Sequence, residues 1–250
     1  MILDPRFLRS KLRLTDLACR WVCQRRAADA LALLRDRSVG YEVLRWRSLP
    51  VGPCRTIIDV GANVGTVAAA FHLLYQPKSL LAVEPNPALL PGLRDRFSGI
   101  PSVKIAGVAL NDRAGVLPFF VQNFNAASSF FPLRTGYLAS LGLPEGAQQI
   151  DVPARRLDDV AAEAGIDSLD LLKLDCQGAE LRVLLGAPGL LRRTRVVQTE
   201  VAFEPIYQGG ALFHEVHALL RGHDFTLVRL GEFQGPGDGI DQADALYRRS

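Results

Sequence analysis

Asp59-Val-Gly-Ala-Asn-Val-Gly65 decides the fold, because it separates a short β-branched run from a longer apolar segment with helical spacing. Residues 56–60 are predicted to form a buried strand, and residues 64–75 a helix that stops before Pro77. Glycines let the backbone approach a ligand closely and accept a positive φ angle. In an open parallel sheet, a turn of this kind lies at the carboxyl ends of the strands, where ligands bind. The stretch therefore predicts a strand–turn–helix unit with a ligand site at its turn.

A second signal, Val83-Glu-Pro-Asn86, follows at the end of the next predicted strand. An acidic residue about 20 residues beyond such glycines can accept hydrogen bonds from ribose hydroxyls, which makes Glu84 a candidate ligand. A nicotinamide dinucleotide is one alternative, but its fingerprint requires small residues where this chain has Asn63 and Thr66. Without them a pyrophosphate has less room at the helix N-terminus, whereas a sulfonium cofactor has no phosphate to accommodate.

Downstream of these signals, strand and helix patterns alternate, which predicts a mostly parallel sheet with helices on both faces. Two further strands, at 225–230 and 243–248, are expected to close a seven-stranded sheet as an antiparallel hairpin. The remaining predicted elements are strands at 80–83, 103–110, 169–174 and 195–201 and helices at 88–97, 157–164, 179–185 and 212–220.

The regular alternation lapses between residues 111 and 148, where only 115–121 and 150–153 look extended. An insertion of this length within an α/β core is usually functional or disordered. Phenylalanines alternate with Asn and Ser between residues 122 and 131, and this mixture suits a sugar ring or a polyketide-like scaffold. We therefore expect residues 122–143 to form a mobile cover over an acceptor site. The alternative is an apolar flap buried in a homodimer interface.

The amino-terminal part of the chain differs in charge from the rest. Residues 1–47 contain eleven Lys/Arg and five Asp/Glu, a net +6, and this leaves −3 for the remaining chain, since the total is +3. A body without net positive charge argues against nucleic acid as a substrate. Residues 5–36 have helical patterning, so we expect a basic helical extension over residues 1–50 and a cofactor-binding domain over 51–250. Its basic face is either solvated or contacts a membrane, a partner or an anionic substrate.

Two absences bear on the compartment. No apolar run reaches the length of about 18 residues that spans a bilayer, and the amino-terminal residues lack a signal-peptide pattern. The four cysteines show neither CxxC spacing nor a disulfide framework. A soluble protein in the reducing cytoplasm is the expectation.

Six short motifs follow one another in an order that resembles the FkbM-type methyltransferases. They are Asp59-Val-Gly-Ala-Asn-Val-Gly65, Val83-Glu-Pro-Asn-Pro87, Ala109-Leu110, Ser128-Ser129, Leu172-Lys-Leu-Asp-Cys-Gln-Gly-Ala-Glu-Leu181 and Gln198-Thr-Glu-Val201. The resemblance runs from about residue 56 to residue 230 and implies a class I, Rossmann-like methyltransferase fold that binds S-adenosylmethionine. It departs from many relatives at Gln177, where they carry an acidic residue, and this puts a catalytic role for position 177 in doubt.

The two turns and the resemblance together predict the cofactor site. The resemblance also implies that the stretch from Ala109 to Asp112 edges the adenine. The residues expected at the cofactor are Asp59, Gly61, Ala62, Asn63, Gly65, Glu84, Pro85, Asn86, Ala109, Leu110 and Asp175.

Methyl transfer to a hydroxyl depends on positioning and on a base that accepts the hydroxyl proton. Asp175 is the leading base candidate, because it is the first polar residue after an apolar strand at the ligand-binding edge. Lys173, two residues earlier, points to the same side of the sheet. Glu200 ends the next strand and is expected beside Asp175. His214 is the fourth catalytic candidate, since histidine is the usual base at neutral pH.

Each catalytic candidate also has a structural alternative. Asp175 could cap the following helix or contact the cofactor only, and Glu200 could pair with Arg195. A surface or packing role is the favoured interpretation of His214. No spacing of these residues demands a metal ion, so none is predicted.

The expected activity is O-methylation of a hydroxyl on a small molecule, a glycan or a natural-product scaffold. The alternatives are an N-methyltransferase, a non-catalytic module that uses a cofactor fold for binding, and a dehydrogenase.

Overall fold

The computed structural model describes residues 5–24, 26–236 and 239–250. The helices are α1 (Pro5–Cys23), α2 (Ala27–Arg35), α3 (Arg37–Arg47), α4 (Thr66–Tyr75), α5 (Leu90–Arg96), α6 (Tyr137–Ser140), α7 (Leu157–Glu163), α8 (Glu180–Leu185), α9 (Pro188–Leu191) and α10 (Phe213–Gly222). The strands are β1 (Thr56–Val60), β2 (Ser79–Val83), β3 (Val103–Ala106), β4 (Ala109–Leu110), β5 (Gly115–Gln122), β6 (Ala147–Arg155), β7 (Leu169–Leu174), β8 (Thr194–Ala202), β9 (Phe225–Gln234) and β10 (Gln242–Arg249).

Seven strands form the main sheet in the order β3-β2-β1-β7-β8-β10-β9. The first five run parallel, and β10 lies antiparallel to both β8 and β9. The predicted seven-stranded, mostly parallel sheet with a terminal hairpin is confirmed. The chain order reverses between β1 and β7, and in open α/β sheets ligands bind at such a switch point.

The alternation of side chains along each central strand divides the apolar core into two layers. Ile57 and Leu171 face a layer that contains Trp46 of α3 and Phe71 of α4. Ile58 and the other side chains on its face of the sheet point into the opposite layer, which α7, α8, α9 and α10 cover. Both faces are thus covered, which explains why the central strands are almost continuously apolar.

The third predicted strand is shorter than expected. It leaves the main sheet after Ala106, and Gly107 follows with its α-carbon packed tightly against Leu90, where an added Cβ would lie 2.6 Å from Leu90 Cδ1. The chain then contributes β4 to a separate three-stranded sheet of order β4-β6-β5. The segment between β5 and β6 lies beside this small sheet. Phe119 of β5 is buried in the apolar cluster that the small sheet forms.

The amino-terminal extension contains three helices where the sequence predicted one over residues 5–36. A break separates α1 from α2, and the Asp36 side chain begins α3 by accepting hydrogen bonds from the backbone N–H groups of Ser38 and Val39. The buried faces of the three helices pack on Ala70 and Leu73 of α4. In the described part of the chain, no helix is long and apolar enough to cross a membrane.

Trp46 attaches this extension to the main sheet, since its ring meets the ring of Phe71 edge-on, with 4.5 Å between ring centroids. It is 1% exposed, so Trp46→Ala should leave a large cavity and lower the free energy of unfolding by about 3–5 kcal/mol. Tyr41→Ala on the same helix, at a side chain 63% exposed, should stay within about 0.5 kcal/mol of the parent. Urea unfolding measures both. A loss of unfolding free energy in Trp46→Ala as small as that in Tyr41→Ala would show that Trp46 is not part of the core.

Candidate active site

The glycine turn after β1 is held against the ends of two neighbouring strands. The backbone N–H groups of Gly61 and Ala62 both donate to the carbonyl oxygen of Val83, at 3.0 Å each. Gly61 has a φ angle of +75°, and a Cβ added there would lie 1.9 Å from the carbonyl oxygen of Asp175. Glycine is therefore required at position 61 by the close approach of β1 and β7, in addition to any contact with a ligand.

Gly65 and Ala62 lie on the side of the turn that faces away from the cleft described below. Gly65 begins α4 with a φ angle of +83°, and an added Cβ would lie 2.7 Å from the Leu93 side chain. Ala62 is buried in the apolar layer below α4 and α5. Neither lines the cleft described below, so the structure places both beneath the predicted cofactor site.

Glu84 closes the turn on its other side. One carboxylate oxygen accepts the backbone N–H of Asn63 and the other accepts that of Asn86, at 2.8 Å each. Burial raises the pKa of Glu84, and the two backbone N–H donors lower it in part. Each oxygen keeps a further lone pair, so the carboxylate can still accept a hydrogen bond from each of two neighbouring hydroxyls.

A cleft of about 550 Å³ opens above these groups. Among the described lining residues, two are acidic and none is Lys, Arg or His, so the wall attracts cations and gives a phosphate no charged partner. The lining residues that carry this argument are Gly61, Asn63, Glu84, Pro85, Leu89, Ala109, Leu110, Phe119, Asn125, Ser128, Phe130, Asp175 and Gln177.

Asn86 does not face this cleft. Its side-chain N–H donates to the side-chain oxygen of Asn125 at 3.1 Å, and its own oxygen accepts the backbone N–H of Ala88. Asn125 lies in the segment between β5 and β6, where it also contacts the Ser128 hydroxyl. The structure therefore gives Asn86 the role of joining the end of β2 to that segment.

A buried ion cluster lies below the cleft. Asp59 and Lys173 are direct neighbours in the register of β1 and β7, with 3.0 Å between Lys173 Nζ and Asp59 Oδ1. The ammonium is also 3.6 Å from Asp175 Oδ2 and 3.4 Å from the carbonyl oxygens of Val60 and Gly61. Burial lowers the pKa of Lys173, but the two carboxylates outweigh it, so the pKa of Lys173 is raised. Lys173 stays a cation and holds the strand ends together, and Asp59 faces it rather than the cleft.

Asp175 and Glu200 share one partner at the edge of the cleft. The Gln177 side-chain N–H₂ donates to Asp175 Oδ1 at 2.7 Å and to Glu200 Oε2 at 3.1 Å. The Tyr207 hydroxyl donates to the Gln177 side-chain oxygen at 2.7 Å. Burial, then the negative charges of Asp175 and Glu180, raise the pKa of Glu200 well above its usual value. A carboxylate with a raised pKa is a stronger base near neutral pH.

A second cleft, of about 310 Å³, adjoins the first at this carboxylate pair. Gly178, Glu200 and Tyr207 line its inner end, and Gln242 lines its outer end. Gln242 also borders a wider opening of about 800 Å³ between α6 and the β9–β10 hairpin. Asp175 thus lines the first cleft and Glu200 the second; we call these clefts the two chambers, and the place where Gln177 contacts both carboxylates their junction.

The segment after β5 covers this junction. The backbone N–H of Arg134 donates to the Ile206 carbonyl and that of Gln208 donates to the Pro132 carbonyl, both at 2.8 Å. Ser129 donates from its hydroxyl to the Gln177 carbonyl at 2.7 Å. The cover is therefore tied to the loop after β8 and to the loop after β7.

The remaining candidates fall outside the junction. His214 is exposed on α10 and lines neither chamber, while Arg195 pairs with Asp170 rather than with Glu200. Within the described ranges, no three Asp, Glu, His or Cys side chains are grouped closely enough to hold a metal ion. Sequence reasoning missed Gln177 and Tyr207, although the position of Gln177, two residues after Asp175, was a usable signal.

The methyltransferase FkbM domain family matches this chain from residue 59 to residue 227, which includes the glycine turn and both carboxylates. The chain belongs to the FkbM methyltransferase family. It is 34% identical over 228 residues to the 31-O-demethyl-FK506 methyltransferase FkbM of Streptomyces tacrolimicus, covering 81% of this chain and 84% of that protein. It is 31% identical over 168 residues to the 2-O-methyltransferase NoeI of Sinorhizobium fredii, covering 65% and 69%.

The solved structure of methyltransferase FkbM from Methylobacillus flagellatus KT matches this FkbM methyltransferase with a TM-score of 0.50. The two are 15% identical, and the match covers 78% of this chain and 43% of that one. At this identity the likeness shows the fold alone. The class I methyltransferase fold and the family resemblance expected from the motifs are confirmed.

The methyl donor of this protein is S-adenosylmethionine. The first cleft fits this cofactor, because Glu84 and Asp175 suit its hydroxyls and positive charges, and the apolar wall of Leu110, Phe119 and Phe130 suits a planar base. The scarcity of cationic groups in the wall also agrees with a ligand that has no phosphate.

Lys173 should be indispensable to stability because its removal leaves Asp59 buried and unpaired. Lys173→Met should lower the free energy of unfolding by about 3–5 kcal/mol. Replacing both partners, in Asp59→Leu/Lys173→Met, should restore much of this loss, since the buried carboxylate is removed and Asp175, whose side chain is 43% exposed, stays hydrated. Urea unfolding of the three proteins checks the prediction, and a double variant no more stable than Lys173→Met would contradict it.

Glu84 should control cofactor affinity. Glu84→Ala removes a charged acceptor worth about 1.5–3 kcal/mol, so S-adenosylmethionine should bind roughly ten- to a hundredfold more weakly in calorimetric titrations. Asp95→Ala, at an exposed carboxylate on α5, is the control and should bind like the parent. Parent-like affinity in a folded Glu84→Ala protein would remove Glu84 from the cofactor site.

Proposed function

We propose that this methyltransferase methylates a hydroxyl group on a small molecule, a glycan or a natural-product scaffold. The supporting observation is the carboxylate pair of Asp175 and Glu200 at the junction of the two chambers, ordered by the side chain of Gln177. An alcohol has to lose a proton when it is methylated, and a carboxylate at this junction can accept it. The two relatives named above are called O-methyltransferases of positions 2 and 31, which agrees with this reaction class.

S-adenosylmethionine supplies a methyl group on a positively charged sulfur, so methylation of a hydroxyl exchanges a C–S bond for a C–O bond and releases the hydroxyl proton. The residues proposed to hold it are Gly61, Asn63, Glu84, Pro85, Ala109, Leu110 and Asp175. In this proposal Asp175 and Glu200 bind the acceptor hydroxyl and take its proton. Lys173 acts as a positioning residue, because its pKa is raised and it cannot serve as the base.

The second chamber is proposed to hold the acceptor. It begins at Glu200 and continues past Gln242 to the wide opening, so a large molecule can place one hydroxyl at the junction and leave the rest outside. Carboxylates at the inner end suit hydroxyl-rich groups, since they accept hydrogen bonds. The segment 122–143 is proposed to open when an acceptor enters, with its contacts to the loop after β8 as the closing contacts.

Other expectations stand as proposals alongside this activity. They are a cytoplasmic location, a homodimer, the absence of a nucleic-acid substrate and the division into residues 1–50 and 51–250. His214 as an alternative base also remains a proposal.

The acceptor can be found by incubating the enzyme with S-adenosylmethionine labelled in its methyl group and a pooled extract of metabolites and glycans. Mass spectrometry of the labelled product then identifies the methylated atom. A methyl ether or methyl glycoside supports the proposal. A methylated amine or amide as the main product would make the protein an N-methyltransferase.

Asp175→Asn keeps the shape of the side chain and removes its charge and basicity. If Asp175 accepts the proton, turnover of the labelled product should fall by about 10²–10⁴-fold, which should exceed any loss of affinity for S-adenosylmethionine. Asp167→Asn, at an exposed aspartate before the same strand, is the matched control and should turn over normally. Near-normal turnover in Asp175→Asn would move the base to Glu200 or His214.

A further inference from the structure

Gln177 occupies a strained bend directly after the strand that carries Asp175. Its φ angle is +58°, and Gly178 follows at +91°, so two successive residues are left-handed. Residues other than glycine rarely adopt this backbone conformation, because it costs free energy. They keep it only where the surrounding structure imposes it. Gly178 is packed so tightly that an added Cβ would lie 3.1 Å from Tyr207 Cβ and 3.3 Å from the Gly210 α-carbon. The fold therefore maintains a strained backbone at the one residue whose side chain joins the two carboxylates.

All hydrogen-bonding atoms of the Gln177 side chain are used. The amide nitrogen has two hydrogens, and its two acceptors are Asp175 Oδ1 at 2.7 Å and Glu200 Oε2 at 3.1 Å. The amide oxygen lies 2.7 Å from the Tyr207 hydroxyl, which is also 3.0 Å from the Ala127 carbonyl oxygen. The amide nitrogen faces the carboxylates because ionised carboxylates can only accept hydrogen bonds. Each carboxylate thus receives one N–H from the same group.

Glu200 lies among groups of mostly negative charge. Two carboxylates that share a site normally repel each other, and one of them is then protonated. The titratable or charged groups that face Glu200 or its chamber are Asp175 and Lys173 from β7, Glu180 from α8, Glu204, Tyr207 and Tyr137 from the loops and α6, and Asp244 from β10 with its partner Arg45 from α3. Lys173 is engaged by Asp59 and Asp175, and Arg45 by Asp244 and Glu42. Gln177 is the neutral donor placed between the pair.

We propose that Gln177 is a positioning residue whose amide, by giving one N–H to each carboxylate, allows Asp175 and Glu200 to be ionised together and so sets the acid limit of methyl transfer. This inference rests on the proposed function, since it assigns the pair to proton acceptance. The inference gives a role to position 177, which carries an amide rather than an acid in this chain. Tyr207 serves the same arrangement by holding the amide oxygen.

The direction of the effect follows from the hydrogen bond to the charged form. A donor to a carboxylate lowers its pKa, so removing the donor raises the pKa of Glu200 further. Glu200 would then lose its proton only at higher pH. The acid limb of the pH–rate profile should move upward, while turnover at high pH should be retained.

The test compares Gln177→Met, which keeps the side-chain length and removes the amide, with Gln177→Glu, which adds a third carboxylate. Gln148→Met, at an exposed glutamine of β6, is the matched control. Carboxyl ¹³C NMR of protein labelled at glutamate follows the titration of Glu200, whose resonance is assigned by its absence in Glu200→Gln. We expect the pKa of Glu200 to rise by about one to two units in Gln177→Met and further in Gln177→Glu, with no change in the control.

Turnover of the labelled acceptor across pH 5–10 gives the second readout. On the acid limb of the profile, Gln177→Met should be about tenfold slower than the parent, and it should approach the parent rate at the alkaline end, with the affinity for S-adenosylmethionine within about twofold. An unshifted Glu200 titration, or the same fractional loss of turnover at every pH, would overturn the proposal. If Gln177→Met does not fold, Tyr207→Phe, which frees the amide to rotate, should give a smaller shift in the same direction, and no shift there would overturn the proposal.

The two proposals can fail separately. If the parent enzyme forms no methylated oxygen product, the proposed function fails, while the NMR titration still decides whether Gln177 keeps the pair ionised. If the parent does form such a product and the Gln177 variants titrate like the parent, only the inference about Gln177 fails.

Discussion

The Lys173 ammonium, enclosed by Asp59 and Asp175 at the ends of β1 and β7, is the contact on which the architecture of the site depends. It lies where the strand order reverses, the place at which a parallel sheet leaves a crevice. Because the ammonium also contacts the Gly61 carbonyl oxygen, the glycine turn and the loop after β7 are held to one another. A buried ion pair of this kind adds little to stability compared with apolar packing, but the loss of one partner is costly. The arrangement therefore specifies position more than it adds stability.

Close backbone contact completes what the ion cluster begins. Gly61 allows the end of β1 to lie against the Asp175 carbonyl oxygen, and Glu84 then holds the turn from the β2 side through the backbone N–H groups of residues 63 and 86. The residues proposed to hold the cofactor thus also make structural contacts. This overlap explains why a glycine that was first interpreted as a cofactor residue has its main steric constraint in the neighbouring strand.

The acceptor side is assembled from parts that are distant in sequence. Tyr207 follows β8, the cover precedes β6, and Asp244 of β10, opposite Glu200, is paired with Arg45 of the amino-terminal extension. The extension therefore reaches the far side of the carboxylate pair as well as packing on α4. Strand periodicity predicted that Asp175 and Glu200 would end neighbouring strands, but the glutamine that lies between them was identified only from side-chain contacts.

By itself, the sequence determined the order of the core strands and helices, the glycine turn, the acid at the end of β2 and the two carboxylates, because these depend on local periodicity and on motifs a few residues long. Helix boundaries in the extension, the short β3 and the separate small sheet depended on packing against Leu90, α4 and β6, which no local pattern encodes. Only the tertiary structure decided that Asp59 faces Lys173, that Asn86 holds the cover, and that Gln177 joins the carboxylates. The physical reason is that hydrogen bonds and ion pairs of buried polar groups form between residues far apart in sequence, 114 positions in the pairing of Asp59 with Lys173. Their partners are set by how the strands pack.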